Sequence, residues 1–337
     1  MKVEFKSWAT PVREDRDRRE PRAPSQQGDA TLVACMFLAL ALAVALLPRL
    51  ASAQQQRFDT PEAAADALQS AARDRDTNAF HALFGPASHD LVSADVVEAS
   101  AEFQLFLQRL TEKVALDRES DSEVLLQLGD EAWPFPIPLM KEDGQWYFDT
   151  AAGKQEVLNR RIGRNELAAI QVCQTYVAAQ REYASQDRNN DQVLEYAQHL
   201  RSTRGAHDGL YWPMRAGDEL SPLGPMVAQA RGEGYRHQTR ILTDQPSPYH
   251  GYFYRVMTCQ GRHATGGKYN YIINGHMIAG FALVAWPAQW GNTGVMTFVV
   301  NQQGKVFQKN LGPKTATLAE KMTAYDPDSS WSAAGGN

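Results

Sequence analysis

The stretch YNYIINGHMIAGFALVAW, residues 269–286, decides the fold of the second half of this chain. Two apolar runs flank Asn274-Gly275, and an Asn-Gly pair between such runs is the strongest short-range signal of a β-hairpin. The sequence therefore predicts strands at 269–273 and 277–286. Further strands, predicted at 252–258, 294–300 and 305–309, extend the hairpin into an antiparallel meander.

A long helix is predicted before the meander, with Asn165 as its N-cap and its end near Ala184. Its apolar positions share one face at helical spacing: Leu167, Ile170, Cys173, Val177 and Ala184. The helix and the meander together predict a C-terminal α+β domain at residues 159–325. Residues 326–337 have the composition of a disordered tail.

Residues 54–158 predict a separate N-terminal α+β domain. Helices are expected after the N-cap Thr60, after Asp76, and over 94–110. A small curved antiparallel sheet should follow, with strands at 124–128, 135–140 and 146–148. The last two strands are joined by Asp143-Gly144, a pair that suits a tight hairpin turn. The class predicted for the whole chain is therefore α+β.

Two layouts resemble known groups. The N-terminal helices and the hairpin ending in GQWYFD, residues 144–149, resemble the cone-shaped nuclear-transport-factor-2-like domains, in which a curved sheet wraps a helix and often leaves a pocket. The helix and meander over 165–310 are similar to the globular part of pilin-like proteins. These resemblances imply a pocket in the first domain and a shared α+β layout in the second.

Residues 1–53 form a leader in front of both domains. Its apolar run from Leu32 to Leu47 has 16 residues, fewer than the ~20 that a membrane-spanning helix needs. The run ends at Pro48 and is followed by Ala51-Ser52-Ala53, a small-x-small cleavage pattern that is typical of a secretory signal peptide. The sequence therefore predicts export to the periplasm or the medium. The alternative is that the segment stays uncleaved as a membrane anchor.

The balance of charge excludes one class of partner. The chain has 34 Lys and Arg against 39 Asp and Glu, for a formal net charge of −5. Nonspecific nucleic-acid binding depends on a basic surface. We therefore expect no nucleic-acid partner and favour an envelope protein or polymer.

Two cysteines follow the leader, Cys173 and Cys259. In an oxidising compartment they could form a disulfide that closes a long loop. Cys173 lies on the apolar face of the predicted helix, which equally suits a buried thiol. The sequence leaves both alternatives open.

One metal site is suggested by an acidic turn after the long helix. Its candidate calcium ligands are Asp187, Asn189, Asp191 and Glu195. Gln192 stands where a calcium loop of the helix-loop-helix kind has glycine, and Gln198 at the twelfth position cannot supply a bidentate carboxylate. A polar turn without a metal is the alternative.

No catalytic or cofactor-binding residue is assigned from the sequence. Ser88-His89-Asp90 are consecutive, whereas the members of a catalytic triad converge through space, and no G-x-S-x-G elbow surrounds Ser88. We interpret this cluster as a solvated loop. The aromatic segment from Trp286 to Asn292 could stack against sugars, but a structural turn explains it better.

Several linked motifs resemble one bacterial family of exported proteins, catalogued as domain of unknown function 2950. The motifs are WPFPIPL (133–139), RRIGRNEL (160–167), GLYWP (209–213), YHGY (249–252) and GFALVAWP (280–287). The resemblance covers residues 57–333 and implies an envelope or secreted location. It supplies no established activity and no catalytic residue.

These observations favour a non-enzymatic binding or assembly module of the bacterial envelope, with aromatic-rich strands as its contact surface. A periplasmic hydrolase-type enzyme is one alternative. Binding of a small ligand in the N-terminal domain is another.

Overall fold

The computed structural model describes residues 55–214, 219–235 and 247–335. The predicted signal peptide therefore lies outside the described residues. Within those residues, no helix is both long and apolar enough to cross a membrane.

Local capping residues start the first helices. These are α1 (Pro61–Asp74), α2 (Thr77–Phe84) and α3 (Val96–Glu112), with a 3-10 turn at Pro86–Leu91 before α3. Thr60 Oγ1 accepts a hydrogen bond from the backbone of α1, and the Asp76 and Asp95 carboxylates do the same for α2 and α3. Such bonds satisfy backbone donors that have no partner within the helix. The three predicted helices are confirmed.

The first sheet is antiparallel, in the order β1-β2-β4-β5, with β3 paired to β2. Its strands are β1 (Val114–Arg118), β2 (Glu123–Leu128), β3 (Trp133–Pro134), β4 (Leu139–Glu142) and β5 (Gln145–Phe148). Asp143 and Gly144, with φ of 54° and 82°, form the predicted turn between β4 and β5. The strand predicted at 135–140 begins only at Leu139, because alternating prolines remove the backbone donors that a strand needs.

The fourth helix, α4 (Thr150–Tyr183), begins earlier than the sequence predicted. Asp149 is its N-cap, and Asn165 lies inside the helix rather than before it. Arg161 precedes the predicted start of the helix at Asn165, and it is only 1% exposed. Its guanidinium donates to the Leu91 carbonyl and to Glu102, so a polar sequence here forms part of the interior. The 34-residue helix is about 50 Å long.

The second sheet is also antiparallel, in the order β14-β13-β12-β11-β6. Its strands are β6 (Tyr252–Met257), β11 (Ala282–Pro287), β12 (Met296–Asn301), β13 (Phe307–Asn310) and β14 (Ser332–Ala333). Two short hairpins lie beside it, β7 (Cys259–Gln260) with β8 (Tyr269–Asn270), and β9 (Ile272–Ile273) with β10 (His276–Met277). The helices α5 (Gly224–Gly232) and α6 (Thr315–Glu320) complete this half.

The opening sequence stretch is more broken than predicted. The expected strand at 269–273 is split at Tyr271 into β8 and β9, and the one at 277–286 into β10 and β11. Gly280, with φ of 151°, lies in the second break, and a Cβ there would approach the Tyr271 ring to 2.9 Å. The predicted turn at Asn274-Gly275 is confirmed, since both residues have positive φ and connect β9 to β10.

The predicted disordered tail is wrong for its described part. β14 pairs with β13, and the Ala334 amide donates to the Val306 carbonyl at 2.9 Å. Trp331 packs on the core of the second sheet. Small polar residues can end an ordered strand when the neighbouring strand supplies hydrogen-bond partners, which composition alone does not reveal.

The α+β class is confirmed, and each sheet has its own hydrophobic core. The first core lies between the early helices and β2, β4 and β5, and the second between α4 and β11 and β12. The helix α4 crosses the predicted boundary between residues 158 and 159. The division into two domains and the two resembled layouts stay predictions.

Candidate ligand-binding pocket

An aromatic pocket of about 440 Å³ opens beside the edge strand β6. Its walls come from α4, the segment 198–201, α5 and β6. The apolar lining is Val172, Tyr176, Leu200, Tyr211, Leu223, Met226, Val227, Ala230, Tyr235, Tyr249, Phe253, Tyr254, Val256 and Leu283. This volume falls within the range of about 300–1,000 Å³ that is usual for small-molecule sites.

Two tyrosine rings in edge-to-face contact shape one end of the aromatic pocket. Tyr235 and Tyr249 meet edge to face, with ring centroids 5.0 Å apart. The Tyr235 hydroxyl donates to Asp95 Oδ2 at 3.0 Å and accepts from the His250 amide at 3.1 Å. Burial raises the pKa of both tyrosines above the ordinary value. Their hydroxyls therefore stay protonated at neutral pH.

The polar lining is basic. Arg201, Arg231 and Arg255 line the aromatic pocket together with Gln198, His199 and Ser247, and the described lining contains neither Asp nor Glu. Arg231 donates to the Tyr211 hydroxyl at 2.8 Å, and Arg255 donates to the carbonyls of Ala319 and Met322. A mainly apolar cavity with a few cationic groups is suited to binding, and it offers no carboxylate for general acid or base catalysis.

Three of the four predicted calcium ligands come together at a separate place. Asn189 Nδ2 donates to Asp191 Oδ2 and to Glu195 Oε1, each at 2.7 Å. Asp187 instead accepts from the backbone amides of Asp191 and Gln192, so it stabilises the turn and does not face the others.

A residue that the sequence analysis missed completes this cluster. His276 Nδ1 lies 3.3 Å from Asp191 Oδ2 and 3.4 Å from Glu195 Oε2, and the ligand atoms of these three residues lie within 4.8 Å of one another. An imidazole beside two carboxylates suits transition metals better than calcium, which prefers oxygen ligands alone. The Asn274-Gly275 turn positions His276, and no local signal links it to Asp191.

Both described cysteines are free thiols, so the structure contains no disulfide between Cys173 and Cys259. Cys173 is fully buried in the second core, where burial raises its pKa to about 12. Cys259 is partly exposed, and its Sγ donates to the Thr323 carbonyl at 3.3 Å. The helical spacing that placed Cys173 on an apolar face correctly predicted its burial.

The cluster Ser88-His89-Asp90 does not form a triad. Ser88 Oγ lies 2.7 Å from His81 Nδ1, whereas His89 Nε2 lies 2.9 Å from Asp90 Oδ1. Lys154 donates to Asp90 at 2.6 Å, and this hydrogen bond lowers the pKa of the Asp90 carboxyl. His89, Asp90 and Lys154 line an open polar depression together with Trp290.

The pocket that the resemblance implies for the first domain stays a prediction, and the core of that domain contains closely packed rings. Phe84 lies 5.3 Å from Phe148, and Phe106 lies 5.5 Å from Phe135, between ring centroids. Trp146 is 3% exposed in the same core. The aromatic pocket is lined instead by residues from Val172 onward.

Comparison with known proteins places the chain in a family. Residues 55–334 match the family described as "Protein of unknown function (DUF2950)". This match covers most of the chain and all of the elements above, so the chain belongs to that family. No curated protein and no solved structure matches it.

Proposed function

We propose that the chain is an exported, non-enzymatic binding protein of the bacterial envelope, and that the aromatic pocket holds a small apolar ligand. The observation that carries this proposal is the cavity of about 440 Å³ between α4, α5 and β6. Apolar surface gains about 25 cal/mol per Å² when it leaves water. Binding in this cavity would bury apolar surface of the ligand and apolar surface of the lining, and both contribute to the binding free energy.

Binding is favoured over catalysis by the chemistry of the lining. Its tyrosine hydroxyls are protonated at neutral pH, and the described lining contains no Asp or Glu. General acid–base catalysis needs groups whose pKa lies near the working pH. Within the described lining, His199 is the side chain best suited to general acid–base work, and no carboxylate of that lining accompanies it.

A neutral fluorescent apolar probe, N-phenyl-1-naphthylamine, tests the pocket directly. Val227 and Ala228 are neighbours on α5, but Val227 lines the pocket and Ala228 is exposed. We expect Val227→Trp to fill the cavity and abolish the rise in probe fluorescence, and Ala228→Trp to leave it unchanged. Circular dichroism confirms that both variants fold. Equal probe binding by both, or none by the wild type, would refute the proposal.

Assembly with an envelope protein is the second form of binding that the sequence favoured. β6 is an edge strand, and edge strands can add a strand from a partner. However, residues 253–256 of β6 line the aromatic pocket, which favours a small ligand at this edge. A stoichiometric protein partner recovered from envelope extract, and lost in Val227→Trp, would instead favour assembly.

The sequence of the leader, which lies outside the described residues, supports the proposed export. We propose cleavage after Ala53, so that the mature chain begins near Gln54. N-terminal sequencing of the protein from separated cell fractions tests this step. A periplasmic or secreted protein starting near Gln54 supports it, and an uncleaved cytoplasmic protein contradicts it.

We also propose that Asp191, Glu195 and His276 bind a divalent cation, in place of the calcium set predicted from sequence. The convergence of an imidazole on two carboxylates is the supporting observation. Titration with Zn²⁺, Mn²⁺ and Ca²⁺, followed by the melting temperature, tests it. We expect Zn²⁺ or Mn²⁺ to raise the melting temperature and His276→Ala to abolish the rise; no response to any of the three ions would contradict the site.

A further inference from the structure

We infer that the ligand of the aromatic pocket is a single-chain anionic amphiphile, with an aliphatic tail in the cavity and an anionic head on Arg231. This inference rests on the pocket proposed above and specifies what it holds. Three observations support it: the sign of the charge in the lining, the hydrogen-bond partners of the arginines, and the apolar residues that form the rest of the wall.

The charge of the lining departs from that of the chain. Acidic residues outnumber basic ones overall, 39 against 34. The described lining nevertheless has three arginines, Arg201, Arg231 and Arg255, and no carboxylate. A cavity wall of one sign raises the local concentration of ligands of the opposite sign. The ligand favoured by this wall is therefore an anion.

Two of these arginines keep their charge uncompensated. Within the described residues, Arg231 donates to a tyrosine hydroxyl and Arg255 donates to two backbone carbonyls, and neither forms an ion pair. Arg255 Nε is buried and has no hydrogen-bond partner in the same part of the chain. Arginine pairs with carboxylates and phosphates through two parallel donors. Arg255 already donates to two carbonyls outside the lining, so Arg231 is the arginine to which we assign the anionic head.

Arg231 marks where the head would lie. It is exposed in the last turn of α5, next to Tyr211, and both side chains line the pocket. Its guanidinium is therefore reachable from solvent, as a charged head at the mouth of a cavity requires. Binding there leaves the head partly hydrated and avoids the cost of burying a charge completely.

Behind the arginines the wall is apolar on several sides. Leu223, Met226 and Val227 come from α5 and its N-terminal flank, and Val172 and Leu283 come from α4 and β11. Each methylene buried against such a wall contributes about 0.8 kcal/mol. An aliphatic tail fits this lining, because a polar tail would lose its hydrogen bonds to water there.

A matched series of ligands tests the inference on the full-length chain. Decanol, decanoate and decyl phosphate share one tail and differ in the head, and each competes with N-phenyl-1-naphthylamine at pH 8. We expect at least one of the two anions to compete about tenfold more tightly than decanol, which corresponds to 1.4 kcal/mol. Decanoate as the tighter ligand indicates a fatty acid, and decyl phosphate indicates a phospholipid-like head.

The variant Arg231→Gln tests the contribution of the anionic head to affinity separately from that of the aliphatic tail. Glutamine keeps the polar, unbranched stem of the side chain but carries no charge. We expect this variant to lose about tenfold in anion affinity and to keep its affinity for decanol. Arg73→Gln, which removes an exposed charge on α1, is the matched control and should behave as the wild type.

The two proposals fail in different ways. If the wild type binds the probe but decanol competes as well as both anions, the pocket stands and the anionic amphiphile is refuted. If Arg231→Gln and Arg73→Gln weaken the anions equally, the head does not lie on Arg231 and the inference is also refuted. If the wild type binds no probe, the proposed function itself is wrong.

Discussion

The Tyr235 hydroxyl donates to Asp95 Oδ2 at 3.0 Å, and the two residues are 140 positions apart. The same oxygen accepts from the Gly251 amide at 3.0 Å, while Oδ1 accepts from the amides of Val97 and Glu98. The N-cap of α3 is thus also the point that fixes the aromatic wall of the pocket. Asp95 is only 2% exposed, and buried polar groups of this kind are costly to leave unpaired.

Asp95→Asn should therefore destabilise the fold. The amide of the new side chain would place a donor against the Tyr235 hydroxyl or the Gly251 amide. We expect a loss of about 1–3 kcal/mol in the free energy of unfolding, measured by urea denaturation. Asp66→Asn, an exposed site on α1, is the control and should change the stability by less than about 0.5 kcal/mol. Equal effects of the two changes would contradict the role of Asp95.

Glu98 lies in the first turn of α3, and its environment predicts that the stability of the fold depends on pH. Burial raises the pKa of its carboxyl, although Ser93 donates to it at 2.5 Å. For an acid whose pKa is raised in the fold, ionisation in the folded state costs free energy of stability. This cost is fully present above the folded pKa and falls as the pH drops from the folded pKa toward the unfolded one. Glu98→Gln should thus be more stable than the wild type at pH 7, with a gap that narrows toward pH 4.

The measurement for Glu98 is the free energy of unfolding of both chains at several pH values. The comparison isolates one carboxyl, since the other titrating groups are common to both chains. A gap that widens as the pH falls, or a variant that is less stable at pH 7, would contradict the assigned direction of the pKa shift.

The cysteines predict unequal reactivity toward a thiol reagent. In a Cys35→Ser background at pH 8, we expect the native chain to react at Cys259 alone, because Cys173 is buried and its pKa is raised to about 12. Unfolding in guanidinium should release the second thiol. Ellman's reagent counts both states; no reactive thiol in either state would demonstrate the disulfide that the sequence left open.

Because the tail is ordered, we expect Trp331 to contribute to the stability of the fold. Its ring packs on the second core and lies 5.9 Å from Lys309 Nζ. We expect Trp331→Ala to lower the free energy of unfolding by about 1–2 kcal/mol. Ser329→Ala, an exposed position two residues earlier, serves as the control. A Trp331 variant as stable as this control would support the disorder predicted from composition.

Features fixed by neighbouring residues were predicted well. The caps Thr60 and Asp76 and the turns at Asp143-Gly144 and Asn274-Gly275 act within a few residues, so the sequence reveals them. The start of α4 was missed because the polar residues before Asn165 are helical and Arg161 among them forms a partly buried ion pair. That arginine depends on Glu102, which lies 59 residues earlier.

The aromatic pocket shows the limit of local patterns. The aromatic richness of β6 indicated a contact surface, but α4, α5 and β11 contribute the other walls from distant parts of the sequence. For the same reason, the acidic turn predicted Asp191 and Glu195 correctly as neighbours and could not reveal His276. Their convergence follows from the packing of the β9–β10 hairpin, in which the Glu195 carboxylate accepts from the Met277 amide.

The helix α4 limits where this chain could be divided into two fragments. It lies against the 3-10 turn of the first half and against β11 and β12 of the second, and Glu166 holds the amides of Val295 and Met296 at 2.9 Å. A gene break inside it would give each fragment an exposed apolar helix face and an incomplete interior. A break of the chain within residues 150–183 should therefore destabilise both cores at once.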